Sequence, residues 1–114
     1  MRAQRRSWEL TQDELGSLVL NGTRGHVSRV ERGIASPNAR EILAYPLVFG
    51  VYAPDLFPLF FAEVANAIIE GTDQLQRTLE SQATPKSVRK CNFVGEARAR
   101  VLSALAQSNH ERNA

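Results

Sequence analysis

The sequence predicts an all-α fold, and three observations carry the prediction. Apolar residues make up 43% and charged residues 23% of the 114 positions, the balance of a globular chain rather than a disordered one. Val, Ile and Thr are too sparse and scattered to write alternating strands. Two capping-box patterns, Thr11-x-x-Glu14 and Asn38-x-x-Glu41, each stand before apolar residues at helical spacing. The length suits one domain, or a small domain plus an appendage, with one modest core. That argues against a large multistep enzyme.

Taken in order, the first capped helix starts at Thr11, whose hydroxyl can accept from the backbone N–H three residues on while Glu14 reaches back. It is expected to run to about Leu20, bury Leu15, Leu18 and Val19, and stop at Asn21-Gly22, where a positive φ is cheap. The next helix begins near Thr23 or Gly25 and runs to Arg32, with Val27 and Val30 facing inward and Gly33 ending it. Ser36-Pro37-Asn38 breaks the chain, and Asn38 caps a helix carrying Ile42, Leu43 and Leu47. Pro46 removes a donor and crowds the Ile42 carbonyl, which predicts a kink or an early end. Gly50 separates this helix from a short one around Pro54 to Phe57, and Pro58 is placed to start another.

From Leu59 to about Ser81, Val64, Ile68, Leu75 and Leu79 form an apolar stripe, with Glu63, Glu70, Asp73, Gln76 and Arg77 largely elsewhere. This is an amphipathic helix weakened by Gly71. Residues 81–90 read as a polar linker, 93–108 as a final helix and 109–114 as a frayed end. The boundary falls near residue 60, giving a first domain over 1–60 and a helical extension over 61–114.

Composition narrows the function classes. A lone Cys91 cannot close an intramolecular disulfide, and His26 and His110 offer no metal-ligand cluster with it, so a reducing cytoplasmic setting and no metal are expected. The residues after Met1 are arginine-rich rather than apolar, unlike a signal peptide. The apolar run from Tyr45 to Phe61 contains Pro46, Pro54, Pro58 and Asp55, which suits a core better than a membrane span. No paired acids, nucleophile-base set or phosphate-cradling glycine loop is evident, so a non-enzyme without a cofactor is expected. The net charge of +2 conceals an uneven distribution: residues 1–40 carry +3, residues 41–82 carry −5 and residues 83–114 carry +4. Basic ends around an acidic middle suit a polyanionic partner, although the same pattern also occurs as plain solvated surface.

The segment 11–33 goes further than two helices meeting at a bend. Thr11-Gln12 opens the first, Leu15 and Val19 form its inner face, Val27 and Val30 form the facing one, and Ser28-Arg29-Val30-Glu31-Arg32-Gly33 closes the second, with Pro37 shortly after. This order resembles the helix-turn-helix of the XRE family, to which the phage Cro and repressor proteins belong. The resemblance extends over residues 5–64 and is strongest at 11–15 and 27–33.

It implies a repressor-like bundle of about five helices that reads double-stranded DNA and regulates transcription, most often by repression. The helix at about 23–32 would enter the major groove, where an arginine bonded twice to guanine contributes roughly 1–3 kcal/mol of discrimination. The resemblance carries base-edge contacts onto Thr23, Arg24 and Arg29 and a phosphate-side or supporting contact onto Gln12. His26 and Ser28 complete the non-apolar face of that helix. It also pairs Glu31 with Arg5 as a structural ion pair. Family members commonly bind as twofold dimers, and the helix at 59–81 is the candidate for a homodimer contact.

Other readings stay open. An antitoxin-like or inhibitor-type module would bind a protein partner through the C-terminal region, with DNA binding secondary. RNA binding through the basic tail has few aromatics to support it. Trp8 either packs or stacks on a base. Cys91 beside Arg89 and Lys90 is either structural or a redox-responsive thiol. Lys86, Arg89, Lys90, Arg98 and Arg100 either contact phosphates or solvate the tail.

Overall fold

A computed structural model describes residues 1–19 and 23–113, and these form helices joined by turns and short irregular segments, with no strand among them. The chain divides into two compact units, Met1–Phe60 and Phe61–Ala114.

In the first unit, α1 (Arg2–Ser7) ends with Glu9 in the left-handed region at φ 57, where the Glu9 N–H bonds Arg6 O and the Leu10 N–H bonds Arg5 O. This paired termination satisfies carbonyls that a helix end otherwise leaves open, and glycine is the usual residue at its turning point. The next helix, α2 (Gln12–Ser17), has the expected cap: Thr11 Oγ1 accepts from the Glu14 N–H at 3.0 Å, and Glu14 Oε1 accepts from the Thr11 N–H at 2.9 Å. It stops at Ser17, short of the expected Leu20, and Leu18 at its C-cap turns outward instead of inward, 49% exposed. The predicted stop at Asn21-Gly22 lies outside the described residues.

The third helix, α3 (Arg24–Glu31), is capped by Thr23 and terminated by Gly33 at φ 74, with the Ile34 N–H bonded to Arg29 O. The reciprocal Asn38/Glu41 cap starts α4 (Ala39–Phe49). Its inner face does not hold its leucines. Glu41 and Tyr45 are buried, whereas Leu43 is 71% and Leu47 84% exposed. The helix is thus turned away from the orientation that hydropathy alone favours, because Glu41 has polar partners inside. Pro46 causes no early end: α4 continues to Phe49 and stops at Gly50 in the left-handed region, so the bond forgone at Ile42 O is tolerated. A single turn, α5 (Ala53–Leu56), follows with proline near its start.

The core joins Leu15 and Val19 of the α2 segment, Val27 and Val30 of α3, Tyr45 of α4, and Leu56 and Phe57, with Phe49, Val51 and Phe60 packed around them. At roughly 1.5–3 kcal/mol for each large apolar side chain fully buried, these contacts favour a fixed arrangement of α2 against α3.

Two long helices, α6 (Pro58–Gln82) and α7 (Pro85–Asn113), account for the remainder. Gly71 leaves α6 continuous. The expected linker over 81–90 is replaced by a tight turn: Ala83 adopts φ 50, and Thr84 and Ser87 cap each other's backbone N–H at 3.0 and 2.8 Å. Pro85 then occupies the first helical position, where its missing N–H costs nothing. The expected frayed end is likewise helical as far as Asn113. Ala65, Leu79 and Val94 are the buried apolar side chains among the described residues of this unit, and Arg98 Nε donates to Asp73 Oδ1 at 2.9 Å. No helix among the described residues is long and apolar enough to cross a membrane.

Candidate nucleic-acid interface

The site is organised by α3. Eight residues give it two turns, and Val27 and Val30, three apart, place one edge in the core. The opposite edge consequently presents Arg24 and Arg29 to solvent, with Thr23 exposed at the cap and Ser28 half-buried. Arg29 leans back along the helix: a Cβ added at Gly25 would lie 3.4 Å from Arg29 Nη1.

Both ends of α3 are held by carboxylates. At its C-terminal end the Glu31 carboxylate is fully withdrawn from solvent. Arg5 Nε donates to Glu31 Oε2 at 2.7 Å and Arg5 Nη2 to Oε1 at 3.1 Å, while Gln12 Nε2 donates to Oε1 at 3.2 Å and Arg2 Nε stands 3.7 Å away. Burial pushes the Glu31 carboxyl upward, but the hydrogen bonds from Arg5 and Gln12 and the charges of Arg5 and Arg2 outweigh it. The group therefore titrates below the ordinary carboxylate range. Arg5 also donates to Leu10 O at 2.8 Å, so one guanidinium links α1, the segment before α2 and α3.

At the N-terminal end, His26 Nε2 lies 2.8 Å from Glu41 Oε1, the oxygen that also caps the Asn38 N–H. Glu41 Oε2 and Tyr45 Oη are buried there without a hydrogen-bond partner. Burial, followed by the charges of Glu41 and Glu31, pushes the Tyr45 phenol up to about 12.

Beside α3 lies an open concavity of about 470 Å3 lined by Arg5, Arg6, Thr11, Gln12, Asp13 and Arg24. Arg6 and Arg24 supply exposed cations to it, and Asp13 offsets part of that charge. Of the residues singled out in the sequence, Gln12 and Arg24 meet in this concavity, while Arg29 lies farther along α3. His26 is turned toward Glu41, and the Gln12 amide nitrogen toward Glu31. Arg6 was not singled out from the sequence. Its signal is the adjacency Arg5-Arg6, since neighbours on a helix point about 100° apart and one inward arginine sends the next outward. The His26–Glu41–Tyr45 group was missed as well, because Glu41 reads as a capping residue alone.

Trp8 is 67% exposed, which disfavours a packing role. Cys91 is half-buried. No group of three metal-ligating side chains occurs among the described residues. Comparison of the chain with protein-family models, with curated proteins and with solved structures returns no match.

Proposed function

We propose that this protein is a sequence-specific binder of double-stranded DNA that regulates transcription, with α2 and α3 acting as a helix-turn-helix of the XRE type. The observation that carries the reading is the fate of charge on α3. Its one acid, Glu31, is withdrawn from solvent and neutralised by arginines, while Arg24 and Arg29 remain outside. A helix that enters the major groove needs that division, because an exposed carboxylate would be repelled by flanking phosphates and a free guanidinium can bond guanine twice.

In this reading Arg29 and Arg24 contact base edges and Thr23 and Ser28 stand beside them. Arg6, on the wall of the adjacent concavity, meets backbone phosphate and sets the register of insertion, while Gln12 supports α3 from beneath through its bond to Glu31. Occupancy of a promoter by such a domain produces repression by exclusion, and the role is one of binding rather than catalysis.

Fluorescence-anisotropy titration against random duplexes and a selected site, at several salt concentrations, tests the proposal. Wild-type protein should prefer the selected site. Arg29→Ala should lose that preference while retaining weak, salt-dependent binding. Equal affinity for selected and random duplexes, or an Arg29→Ala variant that discriminates as well as wild type, would overturn it.

A further inference from the structure

Three cations open α7. Lys86, Arg89 and Lys90 stand on one side of its first two turns, all three are exposed, and no carboxylate of the described residues pairs with any of them. A helix N-terminus already carries positive potential from its aligned peptide dipoles, and α7 has no acid in its first turn to offset it. Cations placed there work against the helix and reinforce each other as an attractor of anions.

The same three side chains border an apolar groove of about 600 Å3 between α6 and α7. Leu79 and Val94, both nearly sealed from solvent, form its floor, while Leu75 and Phe93, 47% and 63% exposed, form its walls. No acid of the described residues lines it. Charge and apolar surface are segregated along its length, because Leu75 and Phe93 stand farther from the turn at Ala83 than any of the cations.

We propose that this groove binds a single-chain fatty carboxylate, with its head on Lys86, Arg89 and Lys90 and its tail against Leu75, Leu79 and Phe93. Segregation of charge to one end is the complement of a head and a tail. An amphipathic helix from a partner protein needs cations along both flanks of an apolar stripe, whereas here α7 supplies all three and the α6 wall none. Length agrees with the choice. From Lys86 to Val94, α7 rises about 12 Å, and an extended chain advances about 1.2 Å per bond, so a tail of roughly ten carbons reaches from the cations to the far wall. Arg89 can bond a carboxylate through two N–H groups, and the aliphatic stems of Lys86 and Lys90 extend the apolar surface below their heads. The hairpin gains from such a ligand: its buried apolar side chains among the described residues are Ala65, Leu79 and Val94, and a tail over Leu75 and Phe93 thickens that thin core.

The inference uses the second unit alone and holds whether or not the chain binds DNA. Isothermal titration calorimetry of the full chain with sodium laurate, kept below its micellar concentration, tests it. Butyrate serves as a head without a long tail, and dodecyltrimethylammonium as the same tail under the opposite charge. Wild-type protein should bind one laurate per chain, about tenfold more tightly than either control. Arg89→Glu combined with Lys90→Glu should reverse the preference toward dodecyltrimethylammonium, and Phe93→Ser should weaken laurate severalfold. These side chains are exposed, so helicity by circular dichroism should match wild type in both variants. Several laurates per chain, equal uptake of the cationic amphiphile by wild type, or variants that bind laurate as wild type does would overturn the proposal. An affinity that falls as protein concentration rises would do the same, by marking the groove as covered by a second copy, as would uptake of an acidic amphipathic peptide with no laurate bound.

Discussion

Arg5 Nε donates to Glu31 Oε2 at 2.7 Å across 26 residues of sequence, and this contact ties α1 to the end of α3. Because the carboxylate is fully buried, its value to the fold depends on both partners being present. Arg5→Ala should cost about 3 kcal/mol by leaving the buried Glu31 with only the Gln12 amide and the more distant Arg2 for partners, whereas Arg5→Met combined with Glu31→Met should recover most of that loss. Urea denaturation of the two single variants and the double variant measures the coupling.

The same pair dictates an acid limb of stability. The folded Glu31 carboxyl titrates below its ordinary value of 4.5, so the unfolded chain takes up the proton first as pH falls. Stability from this group is complete above about pH 4.5 and drains as pH drops through the folded value. Glu14, held low by the Thr11 backbone N–H and hydroxyl, acts in the same direction. Glu31→Gln should be less stable than wild type at neutral pH yet lose less on acidification, read by thermal melts across the acid range.

Tyr45 places its hydroxyl in the core without a partner. Removing an unsatisfied buried hydroxyl relieves a desolvation penalty, so Tyr45→Phe should leave stability unchanged or raise it by up to about 1 kcal/mol. The alkaline limb should respond as well. The folded phenol is raised from 10.0 to about 12, so wild-type stability falls as pH climbs through that interval, and Tyr45→Phe should lack that component. Chemical denaturation at neutral and alkaline pH reads both effects.

Glu9 occupies a left-handed position at the end of α1 that glycine would adopt without strain. Glu9→Gly should raise the melting temperature by an amount equivalent to about 0.5–1 kcal/mol, because relief of the φ 57 strain outweighs the added freedom of the unfolded chain. An unchanged or lower midpoint in thermal denaturation would mean that the Glu9 side chain contributes more than its strained backbone costs.

On the proposed reading, stability and recognition separate cleanly at the exposed arginines. Arg24→Ala and Arg29→Ala should unfold within about 0.5 kcal/mol of wild type while losing discrimination between duplexes. Arg6→Ala should weaken binding to all sequences alike and reduce the salt slope by about 1. Parallel denaturation and anisotropy titrations check this division.

The parts of the molecule legible in sequence are those where a side chain answers a neighbouring backbone group. Thr11 with Glu14 and Asn38 with Glu41 mark helix starts because the bonds they make span three residues. Gly33 and Gly50 mark ends because few other residues take a positive φ without cost. The Arg5–Glu31 contact, expected from the family resemblance, is present at bonding distance.

Long-range polar contacts were harder to see. Hydropathy assigns Leu43 and Leu47 to the inner face of α4, but Glu41 reaches His26, and that bond carries Tyr45 inward in place of the leucines. Residues 81–90 read as a linker because they are polar. The start signal within them, Thr84-Pro85 with Ser87 two residues later, uses a serine where a glutamate or glutamine is more usual. At the candidate site, sequence separates outward from inward residues on α3 through Val27 and Val30. It says nothing of which outward side chains fold back, as Gln12 and His26 do.

Fastening α3 at both ends by carboxylates on its inner side has an evolutionary consequence. Glu31 and Glu41 fix the axis and rotation of the helix through atoms that lie away from positions 24 and 29. Those positions can therefore exchange side chains without moving the scaffold that presents them. On the proposed reading, the outward face of α3 is an interchangeable cassette, on which a lineage could write new specificities while the anchors beneath stay the same.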